Sequence, residues 1–276
     1  MTHRKITSLS NPLIRKAIDA RMRRHGAVKN SCLAEGPHLV GMAASSGAAI
    51  EEVFYTEKFI ITEEGRGLLE QLSSMSSSPE AYVEVTEKIL SRISDTESPQ
   101  GIVALVTYSS AGLCGLELKS KPLLAVCDAI SDPGNLGTII RVSDAAGADA
   151  VVILPGTCDP LSPKTVRATA GSIFNIPVII AGYSEFIDYL NSKQIDLIVT
   201  DVKAQKPLYS SDLKRAVALA FGNEARGVSE ALLNCASGTL KIPIPGKAES
   251  LNVAIAAALC LYEAVRQRMN NNYLLR

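Results

Sequence analysis

The chain has 276 residues, 47% of them hydrophobic and 20% charged, with equal numbers of basic and acidic side chains. That is long enough for two domains with sizeable cores and too apolar for a disordered chain. No apolar run approaches the ~20 residues of a membrane-spanning helix, so no membrane association is expected.

In chain order, the first segment is basic. Residues 1–30 carry Arg4, Lys5, Arg15, Lys16, Arg21, Arg23, Arg24 and Lys29 against one acid, Asp19. Such a face suits a polyanion, because each neutralised phosphate releases counterions. A merely solvated helix face has the same composition. An Arg-rich, acid-poor start also fits a mitochondrial presequence. Here the basic stretch runs without a break into ordered-looking sequence at 31–40, and a cytoplasmic location is expected. Residues 14–24 read as a helix, 33–37 as a short strand and turn, 37–46 as a helix and 50–55 as a strand. A helix over 63–72, a Ser-rich loop over 73–79, a strand over 82–85, a helix over 87–93 and an apolar strand over 101–107 follow. This alternation predicts a small αβα sandwich at 1–108.

Residues 109–121 read as a linker, and 122–276 as a second domain. Strands are expected at 123–127, 150–154, 178–180, 196–200, 217–221 and 239–242, with helices at 136–146, 162–172, 184–191, 228–234 and 251–269. Near-continuous apolar strands interleaved with helices predict an α/β fold whose parallel sheet is covered on both faces. The last helix is apolar on several faces, which suits burial all round at a subunit interface.

The inventory of reactive side chains narrows the chemistry. Histidine occurs only at positions 3, 25 and 38, so the C-terminal half has neither a Ser-His-Asp triad nor a His-based metal site. The six cysteines form no C-x-x-C pair and read as small core residues of a reducing compartment. No metal is expected.

Three stretches place Gly, Pro and Asn at the ends of apolar runs, where a sheet stops and a ligand can enter. They are Asp132-Pro-Gly-Asn-Leu-Gly-Thr-Ile-Ile-Arg141, Phe221-Gly-Asn-Glu-Ala-Arg-Gly227 and Ile242-Pro-Ile-Pro-Gly-Lys-Ala-Glu-Ser-Leu-Asn-Val-Ala254. No G-x-G-x-x-G follows the strand at 123–127, so a cofactor there would not rest a phosphate on that turn. Asn135 reads as a helix N-cap or a site residue, and Arg141 as a surface Arg or a substrate contact. Glu224 reads as an ion-pair partner of Arg226, a first-turn helix charge or an active-site carboxylate. Pro243 and Pro245 stiffen the third loop, and Ser250 is a natural N-cap for the last helix, with Asn252 in its first turn.

Together the three stretches resemble the motifs of the SpoU/TrmH branch of the SPOUT methyltransferases. The segment Ser162-Pro-Lys-Thr-Val-Arg-Ala-Thr-Ala-Gly-Ser172 is similar to another part of that family. Ile6-Thr-Ser-Leu-Ser-Asn-Pro-Leu-Ile-Arg15, Ala34-Glu-Gly-Pro-His-Leu-Val40 and Ser94-Asp-Thr-Glu-Ser-Pro-Gln-Gly101 resemble the substrate-binding domain often fused to it. The resemblance implies methyl transfer from S-adenosyl-L-methionine to a ribose 2′-hydroxyl of RNA. Ribosomal RNA of the large subunit is the first choice of substrate. A tRNA substrate, or a non-catalytic RNA-binding or ribosome-assembly role, is the alternative. It implies a trefoil knot and a homodimer whose pockets are completed across a two-fold interface. It implies catalytic roles for Asn135, Arg141, Glu224 and Asn252, and cofactor contacts from Thr200, Gly222, Ile242, Leu251 and Asn252. The expected RNA contacts are Arg15, Arg23, Lys164 and Arg167. The last two are three residues apart and share a helix face, which is equally the pattern of a solvated surface.

Overall fold

The computed structural model describes residues 4–23, 30–75, 81–109 and 112–269. Arg24 and Lys29 of the basic segment, and residues 76–79 of the Ser-rich stretch, lie outside them. The chain divides into two compact units, Met1–Ser109 with Leu161–Phe174, and Ser110–Pro160 with Asn175–Arg276.

The first unit runs β1 (Arg4–Ile6), α1 (Pro12–Met22), β2 (Ser31–Glu35), α2 (Pro37–Ser45), β3 (Ala49–Tyr55), α3 (Glu57–Ile60), α4 (Glu63–Met75), β4 (Tyr82–Val85), α5 (Glu87–Ile93) and β5 (Ile102–Thr107). Its sheet has the order β1-β4-β3-β5-β2, with β1, β4 and β3 mutually parallel and β5 antiparallel to both β3 and β2. Helix α1 starts where Asn11 accepts a hydrogen bond from the Leu13 N–H at 2.9 Å and Pro12 supplies a helical φ. Ile14, Ala17 and Ala20 recur at helical spacing and bury against Leu33, Phe54, Val83, Val103 and Leu105, together with Ile89, Leu90 and Ile93 of α5. Each such apolar side chain contributes roughly 1.5–3 kcal/mol on burial. The other face of β5 and β2 is covered by α2, on which α4 packs. The αβα expectation therefore holds. The strand β1 and the single turn α3 are too short to give a periodic signal, and α4 continues three residues into the stretch read as loop. A register shift between Ile50 and Glu52 leaves Glu51 out of the ladder. Its carboxylate is held by Lys16, the Thr107 hydroxyl and Ser31 Oγ.

The second unit holds β6 (Leu123–Cys127), α6 (Pro133–Ala145), β7 (Ala150–Ile153), β8 (Val178–Ile180), α8 (Tyr183–Lys193), β9 (Asp196–Thr200), β10 (Val217–Phe221), α9 (Glu230–Cys235), β11 (Gly238–Leu240) and α10 (Val253–Arg268). Helix α7 (Pro163–Ala168) belongs to the first unit. The second sheet is six-stranded and entirely parallel, in the order β11-β9-β10-β6-β7-β8. Every residue of β6 and β10 is buried, as a sheet covered on both faces requires. The segment read as a linker is not loose throughout: Leu113 is 1% exposed within this core, with Leu116 and Leu118 against it.

Strand order fixes where a ligand can enter. From β6 the chain winds outward through β7 and β8, then returns to the other side of β6 for β9 and β10. The carboxyl ends of β6 and β10 are thus neighbours at the point where the winding reverses, the crevice where open α/β sheets bind ligands. After the edge strand β11, residues 241–252 run back across the sheet, and α10 then packs on α6 and β10. The far end of α10 is anchored by Arg268, which donates to the carbonyls of Leu213, Lys121, Pro122 and Arg215 at 2.6–3.2 Å.

Within one chain, helix α10 buries one side: Val253, Ala254, Ala257, Cys260, Leu261 and Ala264 face inward, while Ile255, Leu259 and Tyr262 are 52%, 38% and 50% exposed. No helix among the described residues is long and apolar enough to cross a membrane.

Candidate active site

The loop after β6 leads into α6 through Asp132, whose carboxylate accepts the Asn135 N–H at 2.9 Å, with Pro133 in the first helical position. The cap is therefore Asp132. Helix α6 begins three residues earlier than the hydrophobic pattern indicates, and the Asn135 side chain is free for other work. Ser250 does not cap α10 either. Asn252 does, its Oδ1 accepting the N–H groups of Ala254 (2.9 Å) and Ile255 (3.3 Å). Asn252 is the cap and not a first-turn residue.

That capping bond orders the rest of the cluster. With its Oδ1 committed, Asn252 presents its amide hydrogens outward, and Nδ2 donates to Asn135 Oδ1 at 2.9 Å. Asn135 must then turn its own Nδ2 the other way, where it donates to Glu224 Oε1 at 2.7 Å. Each amide has one acceptor and one donor end, so the chain of bonds has a single polarity, from Asn252 to Glu224. The three motifs meet through these three side chains. Glu224 is not paired with Arg226; its carboxylate is exposed and bonded to Asn135.

Arg141 stands apart. It is exposed on α6, about 9 Å along the axis from Asn135 and roughly 120° round it by helix geometry. The fold brings together Asn135, Glu224 and Asn252 but does not bring Arg141 to them within one chain.

The loop after β10 closes on itself. Asn223 N–H donates to Gly227 O at 3.0 Å and Gly227 N–H to Asn223 O at 2.8 Å. A Cβ on Gly222 would stand 2.3 Å from the Gly227 carbonyl carbon and the Val228 nitrogen, which excludes any larger residue. Asn223, which the sequence does not single out, ties this loop to its neighbour: its Nδ2 donates to Ala129 O (3.0 Å) and Ser131 Oγ (2.9 Å). The Thr200 hydroxyl donates to Ala220 O at 2.9 Å, bracing β9 against β10 below the crevice. Ile242 is half-buried and lies beyond the end of β11, in the loop, while Leu251 is 38% exposed before α10. Cys158 lies near Asp132, Asp159 and Glu224. Burial, aided by those carboxylates, pushes its thiol up to about 11, so it remains protonated at neutral pH. Among the described residues no group of three or more His, Cys, Asp and Glu side chains is arranged to hold a metal ion.

The basic residues of the first unit have mixed surroundings. Arg15 is exposed on α1. Arg23 ends α1 in a left-handed conformation (φ 49°), its guanidinium donating to Ser31 O at 2.7 Å. Arg21 donates to Ser94 O at 3.1 Å and Lys16 is held by Glu51. Lys164 is exposed on α7, whereas Arg167 is paired with Asp95 at 2.8 Å and Glu35 at 3.7 Å.

Residues 122–262 match the SpoU rRNA Methylase family. The chain belongs to that family. Residues 11–104 match a second description, the MRM3-like substrate binding domain. The chain is 32% identical to the Bacillus subtilis "23S rRNA (guanosine(2553)-2'-O)-methyltransferase RlmP" over 259 residues, covering 94% of this chain and 98% of that one. A crystal structure of an AdoMet-bound rRNA methyltransferase from Sinorhizobium meliloti superposes with a TM-score of 0.85 at 32% identity, covering 97% and 99%. The SpoU methyltransferase AviRb from Streptomyces viridochromogenes, in complex with the cofactor AdoMet, gives 0.83 at 27% identity, covering 94% and 98%. In this SpoU chain the likeness thus spans both units, and the Asn135–Glu224–Asn252 cluster lies inside the family match.

Proposed function

We propose that the protein transfers a methyl group from S-adenosylmethionine to a ribose 2′-hydroxyl of large-subunit ribosomal RNA. The observation that carries this reading is the meeting of Asn135, Glu224 and Asn252 at the adjoining carboxyl ends of β6 and β10. The relatives, named as rRNA methyltransferases, match nearly end to end, which favours rRNA over tRNA.

The residues present suit this cofactor. The turn after β6 has no phosphate-binding glycine pattern, and S-adenosylmethionine has no phosphate. The exposed Glu224 carboxylate complements a sulfonium charge. Gly222 lets the loop after β10 fold tightly onto Gly227 and Val228, and Ile242 and Leu251 offer apolar surface on the loop before α10. Thr200, Gly222, Ile242, Leu251 and Asn252 would hold the cofactor, whose sulfonium supplies an already activated methyl group. The protein's task is orientation, worth up to ~7–11 kcal/mol in favourable cases. The Asn252–Asn135–Glu224 chain fixes the polarity of the site before the reactants arrive. Arg141 holds the RNA phosphate and ribose hydroxyl and stabilises developing charge. A guanidinium offers N–H donors and no acceptor, so Arg141 is not the base.

A homodimer places Arg141 in a site. Ile255, Leu259 and Tyr262, spaced four and three residues apart, line one exposed apolar face of α10, with Tyr209 (60% exposed) beside them. A second copy covering this face would set α6 of one protomer beside the crevice of the other. The return of residues 241–252 across the sheet to α10 supports a C-terminal trefoil knot. The first unit selects the RNA, with Arg15, Arg23, Lys164 and Arg167 as its contacts. Arg23 and Arg167 need part of their guanidinium beyond their present partners. Six free cysteines suit a reducing, cytoplasmic setting.

The test is methyl transfer from labelled S-adenosylmethionine to purified rRNA and tRNA in parallel. Label in rRNA alone supports the reading, and label in tRNA alone overturns the choice of substrate.

A further inference from the structure

The geometry points to Asp128 as the positioning residue that locks the two catalytic loops together, with Tyr183 as its second hand. The inference rests on the methyl-transfer reading above. Asp128 follows β6 directly and is 0% exposed. A buried carboxylate is unfavourable unless its oxygens are hydrogen-bonded, and here both are. Oδ1 accepts the Tyr183 hydroxyl at 2.6 Å, and Oδ2 accepts the Ser229 N–H at 2.7 Å. The Asp128 N–H donates to Phe221 O at 2.9 Å. One residue thereby grips the end of β10, the residue that precedes α9 and the first residue of α8. Burial, and then the bond to Asp128, raise the Tyr183 hydroxyl above its ordinary value, so it stays a donor at neutral pH.

The consequence reaches the reaction centre. Immediately after Asp128, Ala129 takes a left-handed φ of 55°, and its carbonyl receives Asn223 Nδ2. The loop from β6 carries Asn135, and the loop from β10 carries Glu224. The bond between these two is exposed to water and too weak to hold two loops in register by itself. Asp128 lies beneath it, in the dry interior, where charge-assisted hydrogen bonds are short and strong. It supports the reacting side chains from behind without touching a substrate.

The chemistry also predicts which substitution is tolerated. In Asp128→Asn, Oδ1 still accepts the Ser229 N–H while Nδ2 donates to the Tyr183 oxygen. In Asp128→Ala both partners lose their bond. Asp128→Ala is expected to lower kcat about 100-fold with the KM for RNA within about threefold, and Asp128→Asn to recover to within about tenfold of wild type. On a Glu224→Ala background, which removes the acceptor for Asn135 Nδ2, Asp128→Ala should lower kcat by less than about threefold further, because both changes break one unit. Losses that multiply would overturn the inference. Hydrogen exchange supplies a readout free of activity. Amides at 129–135 and 222–229 should exchange at least about tenfold faster in Asp128→Ala, with the strands β6 and β10 still protected. Unchanged exchange in these loops would overturn the clamp. If Asp128→Ala does not fold, Tyr183→Phe carries both measurements, with a smaller loss expected and the same overturning result. A wild-type protein inactive on every RNA would refute the methyl-transfer reading, while loop exchange would still decide the clamp.

Discussion

The side-chain amide of Asn252 donates to the side-chain oxygen Oδ1 of Asn135 at 2.9 Å, joining residues 117 positions apart. The same Asn252 caps α10 with its other end. On the proposed function, stability and catalysis share one side chain, and two substitutions separate them. Asn252→Ala should lose about 1 kcal/mol of stability with the cap. It should also lose most of the methyl-transfer rate. Asn252→Asp keeps the cap and the favourable helix-terminus charge but has no hydrogen to donate to Asn135. Thermal unfolding should leave Asn252→Asp near wild type while its kcat falls like that of the alanine variant. A fully active Asn252→Asp would contradict the role given to the Asn252–Asn135 bond.

Arg141 is exposed and away from the Asn135 cluster in its own chain, so its removal leaves the fold intact. Arg141→Ala should lower kcat about 100- to 1,000-fold, the range seen for loss of a preorganised donor. RNA affinity by filter binding should stay within a few-fold, and Arg141→Lys should recover little, since the bidentate fork is lost. An Arg141→Ala variant that still serves the cell in place of wild type would favour a binding role over catalysis.

The apolar face of α10 predicts the quaternary state. Leu259→Glu puts a charge on a side chain 38% exposed in the single chain, so folding tolerates it. A second copy would have to bury that charge. Light scattering should show a dimer for wild type and a monomer for Leu259→Glu, with methyl transfer lost in the monomer. A monomeric wild type with full activity would overturn the shared site.

Glu51 sets an acid limit in the first unit. Burial pushes its pKa up, but Lys16 and the hydroxyls of Thr107 and Ser31 outweigh burial, and the net value lies below the ordinary carboxylate. A depressed folded pKa means the stabilisation is complete above the unfolded value of 4.5 and fades as pH falls through the folded one. Glu51→Gln should unfold at a lower temperature than wild type at pH 7. The gap should narrow below about pH 4.5. A gap independent of pH would contradict this.

The parallel sheet was legible because β6, β7, β9 and β10 are nearly continuous apolar runs, which only a strand buried on both faces needs. The helix starts were less so, because hydrophobic period does not say which polar residue caps. Asp132 and Asn252 took roles that the pattern offered to Asn135 and Ser250. The cluster of Asn135, Glu224 and Asn252 was reached by resemblance and then by geometry. Asp128 and Asn223 escaped notice because their partners lie 101 and 94 residues away, and no local spacing announces such a contact. Spacing left Arg167 open between a phosphate contact and a solvated face, and only the fold shows the carboxylates of Asp95 and Glu35 beside it.

The most direct test of the central claim is the chemical identity of the product. Large-subunit rRNA would be incubated with the protein and methyl-labelled S-adenosylmethionine, digested to nucleosides and separated. The account predicts label in one 2′-O-methylnucleoside and none in any base-methylated nucleoside, with the signal abolished by Arg141→Ala. Label in a methylated base, or no label despite measurable cofactor binding to rRNA-saturated protein, would contradict it.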